Sequence, residues 1–328
     1  MNNIFAADIG GTNSRFGHFS IDSRGRLSLV ESIWLSTSEA GSFHKLIDNL
    51  NNSSFSFKTD NADMVVLAVA GPVQDGIRSK PPLIAWDIDI SNADSDFGFK
   101  KCFLINDFIA QAFACLSPVA EAAEKILEGS PAPYGAAAVI GAGTGLGKAV
   151  IKPDGKGGWT AIPSEGGHTN FPFVSEREFQ YQKFLLKERK DQYITGNTVV
   201  SGMGLSYLHH FLTGRKLGPS DVVKEFSLYP ETLEWASRFY ARVCRNYALE
   251  TLAIAGLYIA GGVAAKTPEL LRHPAFEKEF RSSDTLSDLL ANIPVSLIKD
   301  ENSGLWGGAV FAGQKLNEPK KRGYSSDA

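Results

Sequence analysis

Two stretches of this chain carry one pattern: an apolar strand, a turn rich in glycine and threonine, and a second apolar strand. The first runs Ile4-Phe5-Ala6-Ala7, then Asp8-Ile9-Gly10-Gly11-Thr12-Asn13, then Phe16-Gly17-His18-Phe19. The second runs Ala136-Ala137-Ala138-Val139-Ile140, then Gly141-Ala142-Gly143-Thr144-Gly145-Leu146-Gly147, then Lys148-Ala149-Val150-Ile151. Each reads as a β-hairpin closed by a glycine-rich turn. The same order at two places, about one domain length apart, makes a duplicated domain the economical reading. A length of 328 residues fits two ordinary domains better than one core.

Strand and helix patterns alternate between and after these units. A helix is predicted over Phe43 to Leu50 and strands over Met64 to Val69 and Cys102 to Ile105. Asp107 to Cys115 reads as a helix with Phe108, Ala112 and Cys115 on one face. The longest helix is predicted from about Glu231 to Ala255, with Ala236, Tyr240, Val243, Tyr247 and Leu252 as its core face. Strands at Leu257 to Ile259 and Val295 to Ile298 and a last helix at Leu305 to Lys315 follow. The tail, 318–328, carries Lys320-Lys321-Arg322 and two adjacent serines and is expected to be disordered. Strands alternating with helices define an α/β chain.

Composition removes several classes. Apolar residues make up 43% and charged residues 21%, an ordinary globular balance that excludes disorder. A net charge of -3 gives no basic excess, so neither nucleic acid nor a membrane is an expected partner. The three cysteines, Cys102, Cys115 and Cys244, are widely spaced and form no C-x-x-C pair. That argues against a disulfide framework and a thiolate zinc site. Met1-Asn2-Asn3 before a short apolar run lacks a leader pattern, and no stretch approaches the ~20 apolar residues of a membrane span. A reduced, cytoplasmic protein is expected.

The glycine turns carry the chemistry. Backbone N–H groups at such turns can approach an oxyanion and form an anion-binding nest, and Thr12 and Thr144 add hydroxyl donors. The plain alternative is two tight hairpins without a ligand; two turns of the same make favour phosphate. The second turn is no Rossmann fingerprint, because the strand-like Lys148 to Ile151 follows it and not a helix. It is no Walker A loop either, since Ala142 and Ala149 stand where Gly and Ser or Thr are required.

Two further clusters are polar. Asn106-Asp107 places an acid at a strand-to-helix junction, where a helix N-cap is the plain reading. Glu165-Gly166-Gly167-His168 sets two polar side chains around a glycine pair that lets them converge on a small ligand; a flexible surface loop is the alternative. His209 and His210 are adjacent and cannot face one metal from one helix.

Taken together, these segments resemble the hexokinase branch of the actin-like ATPase superfamily, and within it the bacterial glucokinases. Asp8-Ile9-Gly10-Gly11-Thr12-Asn13 is similar to the first phosphate loop of that family and Gly141 to Gly147 to the second. Asn106-Asp107 is similar to its sugar-binding Asn and catalytic Asp, Glu165-Gly166-Gly167-His168 to its sugar loop, and Ala260-Gly261-Gly262 to its adenosine loop. Leu305 to Phe311 resembles its second connecting helix. The zinc-binding cysteine cluster of the related repressor-type kinases is absent from the sequence, which places the resemblance with the non-zinc group. Two departures stand out. Asn197 replaces a second sugar-binding Glu ahead of an intact Ser201-Gly202-Met203-Gly204-Leu205, and Pro82-Leu83-Ile84-Ala85 precedes Trp86 in place of a Thr-Asn pair. Both are expected on the sugar side and neither on the ATP side.

The resemblance implies two RNase H-like domains around a cleft, the smaller holding 1–107 plus 304–317 and the larger 108–303. It implies ATP-dependent phosphorylation of a hexose, with glucose and its 6-hydroxyl as the expected acceptor. ATP would contact Gly10, Gly11, Thr12, Asn13, Gly143, Thr144, Gly145, Gly261 and Gly262. Asp8 would hold Mg2+ through water. Asn106, Asp107, Glu165, His168 and Asn197 would bind the sugar, and Asp107 would be the general base. A kinase for another hexose or amino sugar, and a sugar-sensing protein without turnover, are the alternatives. Oligomeric state, a homodimer included, is left open.

Overall fold

The computed structural model describes residues 1–318; the expectation for 319–328 lies outside the described residues. The chain forms two compact units, Met1–Ser117 with the residues from Asn302 onward, and Pro118–Glu301.

The strands of the first unit are β1 (Asn2–Ile9), β2 (Asn13–Ile21), β3 (Leu27–Ser36), β4 (Met64–Val69), β5 (Val73–Gln74), β6 (Arg78–Ser79), β7 (Ile88–Asp89) and β8 (Cys102–Asn106). Five of them build one sheet in the order β3-β2-β1-β4-β8, and β5, β6 and β7 form a small sheet of their own. β1, β2 and β3 are antiparallel neighbours, whereas β4 runs parallel to both β1 and β8. Every residue of β4 is buried. A continuous apolar run is what a parallel strand covered on both faces requires. β3, at the sheet edge, alternates exposed and half-buried positions instead.

The period-two alternation of β1 feeds two cores. Phe5, Ala7 and Ile9 pack with the helix Phe43–Asn51 through Phe43, Leu46, Ile47 and Leu50. Ile4 and Ala6 face the other way, towards Leu305, Ala309 and Ala312 of the helix Ser303–Asn317. Ser42 starts the helix Phe43–Asn51, its Oγ accepting the Lys45 N–H at 3.0 Å.

The helix Asp107–Ala114 packs on Ser303–Asn317, where Gly307 meets the Ala110 carbonyl. That contact draws the helix into the first unit. The unit boundaries therefore fall at 117/118 and 301/302, in place of the 107/108 and 303/304 expected from the sequence.

The second unit contains β9 (Glu124–Leu127), β10 (Ala137–Ala142), β11 (Leu146–Pro153), β12 (Trp159–Ser164), β13 (Gly256–Ala260) and β14 (Val295–Leu297). Its sheet order is β12-β11-β10-β13-β14-β9. β10, β11 and β12 are antiparallel neighbours, and β13 runs parallel to β10 and β14. Without β9, which adds antiparallel to β14, order and direction repeat those of the first sheet. The duplication read from two hairpins extends to all five strands.

The helix Pro230–Thr251 supplies much of this unit's core. Trp235, Phe239 and Tyr240 pack with Phe171, Phe173 and Tyr181. Leu252, expected on the same face, is 52% exposed. It takes a left-handed φ of 48° at the C-cap, so the helix stops before it can point inward. Glu178 and Arg242 pair in the interior at 2.6 Å, both side chains fully buried. No helix of the described residues is long and apolar enough to cross a membrane.

Candidate functional site

The strand register of the first unit gathers its expected site residues at one sheet edge. Ile9 is level with Val69, and Val69 with Asn106, so the C-terminal ends of β1, β4 and β8 lie in line. Asp8 and Asn106-Asp107 are thus separated by one strand, roughly 10 Å at the usual spacing. Ligands of open α/β sheets bind outside this edge.

Asp8 is largely buried and its Oδ2 receives Arg15 Nη1 at 3.1 Å. Burial pushes the Asp8 carboxyl above the usual carboxylate range, and the Arg15 charge and hydrogen bond offset only part of that. The Arg15 guanidinium is itself held 4.1 Å from the Trp34 ring centroid. The turn Gly10–Asn13 closes with Gly10 N–H donating to Asn13 O at 3.1 Å and leaves Thr12 and Asn13 exposed.

Asn106 caps the helix Asp107–Ala114: its Oδ1 accepts the Phe108 N–H at 2.9 Å. Its Nδ2 donates to Gly71 O at 3.0 Å. The N-cap reading is therefore correct, and it does not exhaust the amide. One N–H of Nδ2 and a lone pair of Oδ1 remain for a ligand. Asp107 opens the helix, half-buried, with its Oδ1 also accepting from Phe108 N–H at 2.9 Å.

The second unit gathers the rest. The turn between β10 and β11 carries an exposed Thr144 and is closed by Gly143 N–H to Gly145 O at 2.8 Å. Because Gly141 is level with Ala260, Gly261 and Gly262 emerge beside this turn. Gly261 sits at a φ of 89°, and a side chain there would meet Ala142 O at 2.7 Å; only glycine fits.

Glu165 and His168 flank the short helical turn Gly166–His168. Their side chains are exposed and approach at 3.7 Å between Oε2 and Nε2. The loop lies on the second glycine turn, since a side chain on Gly167 would overlap both the Leu146 carbonyl and Asn197 Oδ1. Asn197, on the short helix Gly196–Val199, accepts the Leu146 N–H on Oδ1 at 2.7 Å.

Both departures noted in the sequence lie against the glycine turns. Leu83 covers Gly11, its Cβ and carbonyl oxygen each 2.9 Å from where a Gly11 β-carbon would stand. Asn197 holds Leu146 at the end of the second turn.

Two charged residues escaped the sequence reading. Arg15 follows the first turn and holds Asp8. Lys148 follows the second, is only 5% exposed, and lies 5.0 Å above the Tyr247 ring. Burial pushes the Lys148 ammonium pKa down, partly offset by Glu250. The available signal was a cation two or three residues after each glycine turn, at the start of the strand that follows it.

Among the described residues no group of three or more His, Cys, Asp or Glu could hold a metal by itself. Magnesium needs only one or two carboxylates when phosphates and water complete its shell. The buried Asp8 carboxylate beside a glycine turn fits that requirement.

Comparison with known proteins decides the family. The sequence model of the glucokinases matches residues 5–315. The chain belongs to the glucokinase family. It is 31% identical to the glucokinase of Saccharophagus degradans, with 94% of this chain and 97% of that protein covered. It is 29% identical to the glucokinase of Nostoc punctiforme, over 95% and 99% of the two chains. Among solved structures, glucokinase from an Antarctic psychrotroph superposes with a TM-score of 0.81 at 24% identity, covering 96% and 99%. Glucokinase from Balamuthia mandrillaris in complex with glucose gives 0.76 at 19%, covering 95% and 94%. A ROK family glucokinase from Streptomyces griseus in complex with glucose and AMPPNP gives 0.56 at 18%, covering 95% and 100%. The α/β sheets of the two units are thus those of the actin-like ATPase fold that glucokinases share.

Proposed function

We propose that this protein transfers the γ-phosphoryl group of ATP to the 6-hydroxyl of glucose. The family supports the reaction class. One structural observation carries the assignment of parts: the register that brings Asp8 and Asp107 to one edge of one sheet, a single strand apart.

On this reading Asp107 accepts the proton of the attacking hydroxyl, and Asn106 beside it takes a sugar hydroxyl with its remaining N–H. Glu165 and His168 bind further hydroxyls, and Asn197 stands next to them. The backbone of Gly10–Asn13 and of Gly143–Gly145 receives the phosphates, Gly261 and Gly262 border the adenosine, and Asp8 faces magnesium through water. Magnesium, when bound, would supply positive charge to neutralise the phosphates. A carboxylate can serve in the role given to Asp107, because in a loose transition state positioning and charge neutralisation outweigh early deprotonation.

The glucose-bound relative from Balamuthia and the glucose- and AMPPNP-bound relative from Streptomyces support both ligands. A coupled ADP-release assay with Mg-ATP over a panel of hexoses tests the proposal. Glucose-dependent release is expected; sugar binding without ADP release would make the protein a sensor instead.

A further inference from the structure

We propose that Asn197 is a positioning residue of the nucleotide-binding turn Gly143–Gly145, acting through the Leu146 N–H as well as standing beside the sugar loop. The inference rests on the reading of that turn as a phosphate site.

Leu146 is 4% exposed, so its N–H cannot turn to water if the Asn197 acceptor, 2.7 Å away, is lost. The same oxygen faces Gly145, where an added β-carbon would meet it at 3.4 Å. On its other side it faces Gly167 of the Glu165–His168 loop, too closely for a side chain there. One amide oxygen therefore touches the glycine turn and the loop between Glu165 and His168 at once. The short helix that bears it is anchored independently, with Gly196 N–H donating to Thr169 O at 3.1 Å and Thr198 N–H to Thr195 Oγ1 at 3.2 Å. A second bond supports the turn from beyond that helix: Gly202 N–H donates to Gly143 O at 3.2 Å.

The chemistry of the side chain completes the argument. Oδ1 is engaged with the backbone, so the group Asn197 presents to a ligand is the Nδ2 donor. Truncating Asn197 removes an acceptor from a buried N–H at the mouth of the turn. The turn then loosens whether or not a sugar is present, so nucleotide affinity falls in the absence of sugar. A residue that only touched sugar would leave that affinity unchanged.

The test compares wild type with Asn197→Ala, Asn197→Ser and Asn197→Asp, using MgADP without sugar. Calorimetry should show MgADP binding weakened about 2–10-fold in Asn197→Ala, the span of one buried hydrogen bond. Hydrogen exchange at Leu146 should accelerate about tenfold or more. Asn197→Asp keeps an acceptor and should keep Leu146 protected. Asn197→Ser, too short to reach, should behave as Asn197→Ala and serves if the alanine variant does not fold. Unchanged MgADP affinity and Leu146 protection in the Ala or Ser variant, with wild type binding MgADP, overturns the inference alone. Failure of wild type to bind MgADP overturns the ATP reading together with it.

Discussion

Gly307 presses its α-carbon against the backbone carbonyl of Ala110, so closely that one added methyl would overlap the oxygen. The contact locks the helix Asp107–Ala114 onto Ser303–Asn317 and so fixes the position of Asp107 at the end of β8. Gly307→Ala sets two effects against each other. Alanine gains about 1 kcal/mol of helix propensity. Overpacking against a backbone atom, which cannot rotate away, costs typically 1–3 kcal/mol and more where neighbours cannot give. The clash should win. Urea unfolding is expected to show a net loss of about 1–2 kcal/mol, with kcat falling because Asp107 moves. A variant as stable as wild type would refute the packing argument.

Glu178 and Arg242 make the second unit's acid sensitivity calculable in sign. Burial opposes the Glu178 charge, but hydrogen bonds from Arg242 and the Val174 N–H, with the nearby Arg238, outweigh it and hold the pKa below the ordinary carboxylate value. A depressed folded-state value contributes stability that is present above the unfolded value, about 4.3, and is lost as pH falls through the folded one. The urea midpoint of wild type should therefore decline more steeply below about pH 4.3 than that of Glu178→Gln. Arg242→Met, which leaves the buried carboxylate only Arg238 and the Val174 N–H, should cost about 3–5 kcal/mol at neutral pH. Parallel acid limbs in wild type and Glu178→Gln would remove Glu178 from the account.

Asp107→Ala should lower kcat by about 10²–10⁴, the usual contribution of a general base. Glucose binding measured by calorimetry should survive, since Asn106 keeps both of its backbone bonds through Phe108 and Gly71. A kcat near the wild-type value would exclude Asp107 as the base.

Much of this site was legible because it sits on hairpins and strand ends. Gly10-Gly11-Thr12 and Gly143-Thr144-Gly145 announce turns, and the runs around them announce strands, so the duplicated sheet follows from local pattern. What the sequence hides is cross-chain packing. Nothing near position 197 reveals that its side chain accepts from Leu146, 51 residues earlier. Nor does Pro82-Leu83 reveal that it lies over Gly11. The N-cap role of Asn106 was readable; its second bond, to Gly71 in another loop, was not. Nor does sequence order disclose that the helix Asp107–Ala114 packs on Ser303–Asn317.

Arg15 holds the proposed magnesium-facing carboxylate of Asp8. Arg15→Met leaves Asp8 largely buried without its cation, with Gly304 so near that a β-carbon there would stand 2.6 Å from Oδ2. Breaking a fully buried pair costs about 3–5 kcal/mol. Arg15 is 26% exposed, so water recovers part of that, and a loss of about 1–3 kcal/mol is expected. A divalent cation delivered with nucleotide would resupply positive charge beside Asp8. Thermal unfolding in ADP with either Mg2+ or EDTA therefore separates two accounts. If Asp8 faces the metal, the gain in Tm from MgADP over ADP with EDTA should be larger in Arg15→Met than in wild type. If Asp8 has only a structural tie to Arg15, the destabilisation should be the same in both conditions. Equal gains in the two proteins would withdraw Asp8 from the magnesium site while leaving Asp107 as the base untouched.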